Sequence, residues 1–130
     1  MSAMSNMAKN TFNKVFKNLA AELKTDPSKI QLGIYYDQGN HKYEFYNEMK
    51  RVREFDLEDY VGAAIDWSGG TAVIESTIAQ AGANYAKELS APIDEIKIVM
   101  AYRENMMPQA VLLVRSAKIR TIDIEKDFLS

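Results

Sequence analysis

Apolar residues recur on two different periods along this chain, and the switches between them divide it into elements. Phe12, Val15, Phe16, Leu19, Ala20 and Leu23 fall on one helical face, with Lys14, Lys17, Asn18 and Glu22 on the other, which predicts a helix from about Thr11 to Lys24. Asn10 or Thr11 caps its start and Asp26-Pro27 stops it. From Ile30 the period drops to two. Ile30, Leu32, Ile34 and Tyr36 alternate with Gln31, Gly33 and Tyr35, and Asp37-Gln38-Gly39-Asn40 reads as a hairpin turn. His41 to Glu48 alternates again, with Tyr43 and Phe45 on one face and Lys42, Glu44 and Tyr46 on the other. A turn at Asn47 to Lys50 leads to a third short strand, Arg51 to Phe55.

Asp56 then opens a short amphipathic helix carrying Leu57, Tyr60, Val61, Ala64 and Ile65, with Asp59 in the capping-box position. After Ser68-Gly69-Gly70 a long helix runs from Thr71 to about Leu89, with Ile74, Ile78, Ala81, Tyr85 and Leu89 inward. A second stripe, Ala79, Gly82, Ala83 and Ala86, is small enough for another helix to approach. In the last third Ile96, Ile98, Met100 and Tyr102 alternate, and Asn105 to Pro108 turns. The apolar run Val111-Leu112-Leu113-Val114 reads as a central strand covered on both faces, followed by an edge strand carrying Lys118 and Arg120. No internal repeat and no linker is read. The expected fold is α+β: an antiparallel sheet of about five to six strands, built from two hairpin-containing halves and packed in two layers by an N-terminal and a long central helix. Residues 1–10 are expected to form a flexible N-terminus and 11–130 a single domain.

Composition narrows the function classes. A chain of 130 residues, 47% of them hydrophobic, can build a core without metals or crosslinks. Cysteine is absent, which removes disulfides, thiolate metal sites and Cys nucleophiles together. Sixteen basic and eighteen acidic residues leave a net charge of −2, too balanced to point to a polyanion. The first ten residues hold no apolar signal-peptide core and no run is long enough to span a bilayer, so the expected setting is the cytoplasm, away from membrane.

The densest candidate chemistry is Asp66-Trp67-Ser68-Gly69-Gly70-Thr71, a glycine-paired loop that runs into the long helix. Its backbone N–H groups suit an anion, because the first helical turn leaves donors unpaired and the dipole favours negative charge. Trp67 is available to stack on a ring, and Arg115 or Arg120 to neutralise phosphate. The loop lacks the following Lys-Ser/Thr of a nucleotide triphosphatase and the second flanking glycine of a serine-hydrolase elbow. A structural turn with a Thr cap explains the same residues.

A second concentration is the aromatic hairpin. Tyr35 and Tyr46 share a face with Lys42, and Arg51 and Arg53 follow, the side chains that protein interfaces concentrate. Such a face also suits unpaired bases, but Glu44, Glu48 and Glu54 dilute its charge, so nucleic acid is not the expected partner. His41 is the only histidine and reads as a turn residue. Glu54, Asp56, Glu58 and Asp59 read as helix-start acids. A cleft joining two of Asp66, His41, Glu54 and Asp56 by hydrogen bonds would indicate catalysis. No catalytic set, metal set or cofactor motif is identified. The expected function is a small non-enzymatic protein that self-associates and binds a macromolecular partner through Tyr35, Tyr46, Arg51 and Arg53. The alternative is a receptor for a phosphate-bearing ligand at Trp67, Ser68, Gly69, Gly70 and Thr71.

Overall fold

The computed structural model describes residues 3–61 and 71–129. Its elements are α1 (Ala3–Leu23), β1 (Ile30–Asp37), β2 (Asn40–Asn47), β3 (Lys50–Phe55), α2 (Leu57–Val61), α3 (Thr71–Leu89), β4 (Ile96–Ala101), β5 (Gln109–Val114), β6 (Ala117–Ile122) and α4 (Ile124–Leu129). Single turns of 3-10 helix, Pro27–Lys29 and Ile93–Glu95, lead into β1 and β4. Among the described residues, six strands form one antiparallel sheet in the order β3-β2-β1-β4-β5-β6. The α+β arrangement read from the periodicities is the one observed. None of the described helices is long and apolar enough to cross a membrane.

The core lies between one sheet face and the helices. Phe12, Val15, Phe16 and Leu19 of α1 and Ile74, Ile78, Ala81 and Tyr85 of α3 meet Ile30, Leu32, Ile34, Phe45, Ile98, Met100 and Leu112, all of them buried. The N-terminal segment expected to be flexible is helical from Ala3: Ala8 continues the inward stripe one turn ahead of Phe12 and is 1% exposed, and Met7 packs against the core. Asn13 ties this helix to the loop before β5. Its amide donates to the Met106 carbonyl at 2.9 Å, and its Oδ1 accepts from the Asn105 N–H at 3.1 Å.

The structure also corrects the reading of a chain without internal repeat. Helix, 3-10 turn, three antiparallel strands and short helix occur twice in succession. Ala8, Phe12, Val15, Leu19 and Ala20 correspond at one constant shift to Ile74, Ile78, Ala81, Tyr85 and Ala86, and the same shift carries Ile30, Leu32 and Ile34 to Ile96, Ile98 and Met100. The irregularities repeat as well. Lys24 and Ser90 end their helices in the left-handed region, at φ 54° and 50°. Glu48-Met49 and Arg115-Ser116 close two-residue turns with positive φ throughout, the geometry that matches strand twist. The β2–β3 and β5–β6 pairings both shift register, at Phe45/Tyr46 and at Leu112/Leu113. Even two ion pairs correspond: Arg53 with Glu22 at 2.8 Å and Arg120 with Glu88 at 3.2 Å.

At the centre the two halves meet as β1 and β4. The ladder pairs Gln31 with Ala101, Leu32 with Met100, Gly33 with Val99, Ile34 with Ile98 and Tyr35 with Lys97. Exchanging the halves maps this ladder onto itself, so a local two-fold passes through the Gly33–Val99 pair. Both outer strands are edges, and the bulges that bend them also blunt them against further pairing.

One expectation about β5 changes. Its apolar run was read as covered on both faces, but burial alternates: Ala110 and Leu112 are fully buried, whereas Val111 and Leu113 are partly exposed. The strand lies second from the edge of a sheet with helices on one side, so every other residue of the run faces away from them.

Candidate functional site

Among the described residues no helix covers the second face of the sheet, and its side chains are partly exposed where their strand neighbours are buried. Alternation along β1, β2 and β4 places Gly33, Tyr35, Glu44, Tyr46, Lys97 and Val99 there, with Arg51 opposite Tyr46 on β3. Gly33 is the pivot of this group. A Cβ on it would stand 3.1 Å from each of Glu44 Cγ, Lys97 Cε and Tyr46 Cε2, so the missing side chain is the space in which those three converge.

The Glu44 side chain is 8% exposed, although it stands on the uncovered face. Lys97 Nζ donates to its Oε1 at 2.6 Å, Arg51 Nε to its Oε2 at 2.9 Å, and the Tyr46 hydroxyl to Oε1. Lys97 also donates to the Tyr46 oxygen and lies 5.0 Å from that ring's centroid, a cation–π contact. Tyr35 donates to Glu54 across the same face. Burial alone pushes the Glu44 carboxyl up, but hydrogen bonds from Lys97, Tyr46 and Arg51 outweigh it and leave it below its ordinary 4.5. Lys97 responds in the opposite sense: desolvation lowers it, and the bonds to Glu44 and Tyr46 raise it past the ordinary value. Burial, with the Glu54 carboxylate beside it, pushes the Tyr35 phenol up to about 12.

The result is a self-neutralised aromatic and ionic network on a rigid sheet. It offers hydroxyl and guanidinium groups in fixed positions. It holds no nucleophile with a base and no open coordination set. Because the folded Glu44 pKa is depressed, its contribution to stability is full above pH 4.5 and is lost as the pH falls through the folded value. Glu44→Gln is expected to cost about 1 kcal/mol at neutral pH, since Lys97 and Arg51 retain access to water. The same change should flatten the stability profile below pH 4.5, and urea titrations at several pH values measure both effects.

Of the partner-contact residues expected from sequence, the fold brings Tyr35, Tyr46 and Arg51 together. Arg53 is placed elsewhere. It faces the helix side of the β3 edge, 5.2 Å from the Phe45 centroid, bonded to Glu22 and the Tyr60 hydroxyl. The bulge between its pairing with Phe45 and that of Arg51 with Tyr46 separates the two arginines. Glu44, Lys97 and Gly33 were not singled out from sequence. Glu44 had a local signal, a charge at mid-strand on the same alternation as Tyr46. Lys97 had none, because only the β1–β4 pairing brings it here.

For the phosphate-site residues, Trp67, Ser68, Gly69 and Gly70 lie outside the described residues, and Thr71 is the first residue of α3. Arg120 stacks on Tyr85, about 21 Å along the α3 axis from Thr71. It is bonded there to Glu88 and Asp127. Arg115 pairs with Glu95 at 2.6 Å in the β5–β6 turn. Neither arginine is brought to the helix start within this chain.

His41, Glu54, Asp56, Asp59 and Glu75 line one open cleft. Among the described residues no hydrogen bond joins them, and no group of three or more is arranged to hold a metal ion. A matching cleft recurs in the second half at Pro108, Thr121 and Asp123, so the concavity belongs to the repeated unit. His41 is not a free turn residue. Its ring stands edge-on to Tyr36, 5.2 Å between centroids, and against Gly82 of α3. The small stripe of α3 is thereby occupied, at Gly82, by this chain's own histidine.

Comparison of the chain with protein-family models, curated proteins and solved structures finds no match.

Proposed function

We propose that the chain is a non-enzymatic protein-binding module that works through the uncovered face of its sheet, with Tyr35, Tyr46 and Arg51 as contact residues. One observation carries this reading: the open face is where the two halves cease to correspond. On the helix side the paired positions stay apolar, Leu32 with Ile98 and Phe45 with Leu112, as core packing demands. On the open side Gly33 answers to Val99, Tyr35 to Ala101, Glu44 to Val111 and Tyr46 to Leu113.

A face serving only as solvent boundary has no need of a buried carboxylate held by three donors. Fixing Tyr35, Tyr46 and Arg51 in advance lowers the entropy lost when a partner docks, and interface hot spots favour Tyr and Arg. Affinity capture from native lysate should retain a defined protein on the wild-type chain. Tyr35→Ala/Arg51→Ala, folded by its far-ultraviolet spectrum although less stable for want of the Glu44 and Glu54 bonds, should lose it. Equal capture by that folded variant overturns the reading.

A further inference from the structure

We infer that the occupant of the open face is a second copy of this chain, laid face to face about a two-fold axis running along the strands between β1 and β4. The inference rests on the reading of this face as a contact surface and names its partner. The face is divided lengthwise. Its β1–β3 half carries Tyr35, Glu44, Tyr46 and Arg51, and its β4–β6 half carries Val99, Ala101, Val111 and Leu113, with Lys97 beside the divide and Thr121 and Lys118 on the outer strand. Rotation about that axis lays each aliphatic half on the other copy's aromatic half. Tyrosine rings against aliphatic side chains are the composition that buried interface centres favour.

Charge points the same way. A face that must meet its own copy cannot carry a large net charge, because both partners would bring the same sign. Here Lys42 pairs with Asp37, and Glu44 and Glu54 together balance Arg51 and Lys97, so these charges cancel within each copy and Lys118 at the β6 margin adds a single positive charge. An acidic or basic partner would find no complementary field.

Size separates the whole face from either half. Six strands spaced ~4.8 Å apart, each about six residues at ~3.3 Å, present roughly 570 Å² in projection. Corrugation raises the accessible area above its projection, towards the ~800 Å² per partner of a standard stable interface. Three strands alone fall well short, so the stable contact uses both halves, and only a two-part surface complements a two-part surface.

The test is molar mass by light scattering on the full chain across a range of micromolar concentrations. The wild type is expected at twice the chain mass. Leu113→Glu is expected at the mass of a single chain with an unchanged far-ultraviolet spectrum, because in the folded monomer the new carboxylate stands between Lys97 and Lys118. The absence of cysteine permits a second readout. Val99→Cys, at the centre of the face, should give a covalent dimer with a short bis-maleimide, and Val52→Cys on the β3 edge should not. A wild type of single-chain mass, a Leu113→Glu variant that stays dimeric, or crosslinking from Val52→Cys alone overturns the pairing. Those outcomes bear on the second copy only, since the capture experiment tests the face with a partner of any kind.

Discussion

Phe45→Ala is expected to lower the stability of this protein by about 4 kcal/mol, the usual cost of emptying a fully buried aromatic site. Phe45 is 0% exposed and packs edge-on against Phe55 at 5.7 Å, and the Arg53 guanidinium stacks on it. Its loss leaves a cavity beneath β2 and frees Arg53, the residue that fastens the β3 edge to α1 through Glu22. The strand that carries Glu44 and Tyr46 loosens with it, so the open face should lose order as well. Urea unfolding at constant m-value measures the change. Two neighbours on β5 supply the control. In the dissociated single chain Leu112→Ala is expected to cost about 3 kcal/mol and Leu113→Ala less than about 1, although the chemical change is identical, because only Leu112 faces the helices. Equal losses at the two positions would mean that the sheet is covered on both sides.

Element order and type were legible because the periods are clean. The α3 span from Thr71 to Leu89 and the alternation through Ile30, Leu32 and Ile34 depend on local spacing, and local spacing is what burial on one side imposes. Chain entry was less legible. Ala8 is a weak apolar signal among polar neighbours, and it is buried because α1 is long enough to lie across the sheet. The internal repeat was hidden for a related reason. What it preserves is burial class and backbone geometry: Phe12 matches Ile78, Leu19 matches Tyr85, and Glu48-Met49 matches Arg115-Ser116. Residue identity survives in a few places, such as Arg53 with Arg120 and Asp56 with Asp123, too sparsely to register without the fold.

The candidate site was half visible. Tyr35 and Tyr46 announce their shared face through alternation, and Arg51 follows from the next turn. Lys97 belongs to the other half of the chain and reaches Glu44 only because β1 and β4 pair about Gly33–Val99. The apolar run in β5 is ambiguous by pattern: a continuous stretch of Val and Leu fits burial on two sides, and equally fits one buried side with a partly exposed other. Sequence pattern does not distinguish a strand covered on both faces from one covered on a single face when both faces carry Val and Leu.

Gly82→Ala is expected to forfeit the ~1 kcal/mol that alanine ordinarily gains over glycine inside a helix, because the His41 imidazole must swing off Tyr36 to admit the new Cβ. A Cβ at this position would stand 2.5 Å from His41 Nε2 and 3.1 Å from Cε1, so the imidazole or the helix must move. The internal repeat gives the reason for the glycine. Its counterpart in α1 is Phe16, which packs on Tyr102 with centroids 5.7 Å apart. Beneath α3 the space over Tyr36 is filled from the sheet side by His41 instead. His41→Ala should therefore restore the gain, and His41→Ala/Gly82→Ala should be more stable than the sum of its single changes by about 1 kcal/mol, a coupling a double-mutant cycle measures directly. A charge readout separates this contact from simple packing. Desolvation holds the His41 pKa below its ordinary 6.5, so the stabilisation present above that pH is lost as the pH falls through the lowered folded value. Glu75 in the same cleft is raised above 4.5 and changes stability in the opposite sense, so the loss of stability with falling pH that belongs to His41 is the part that vanishes in the double variant. Additive energies, or a step that survives without the imidazole, would refute the wedge.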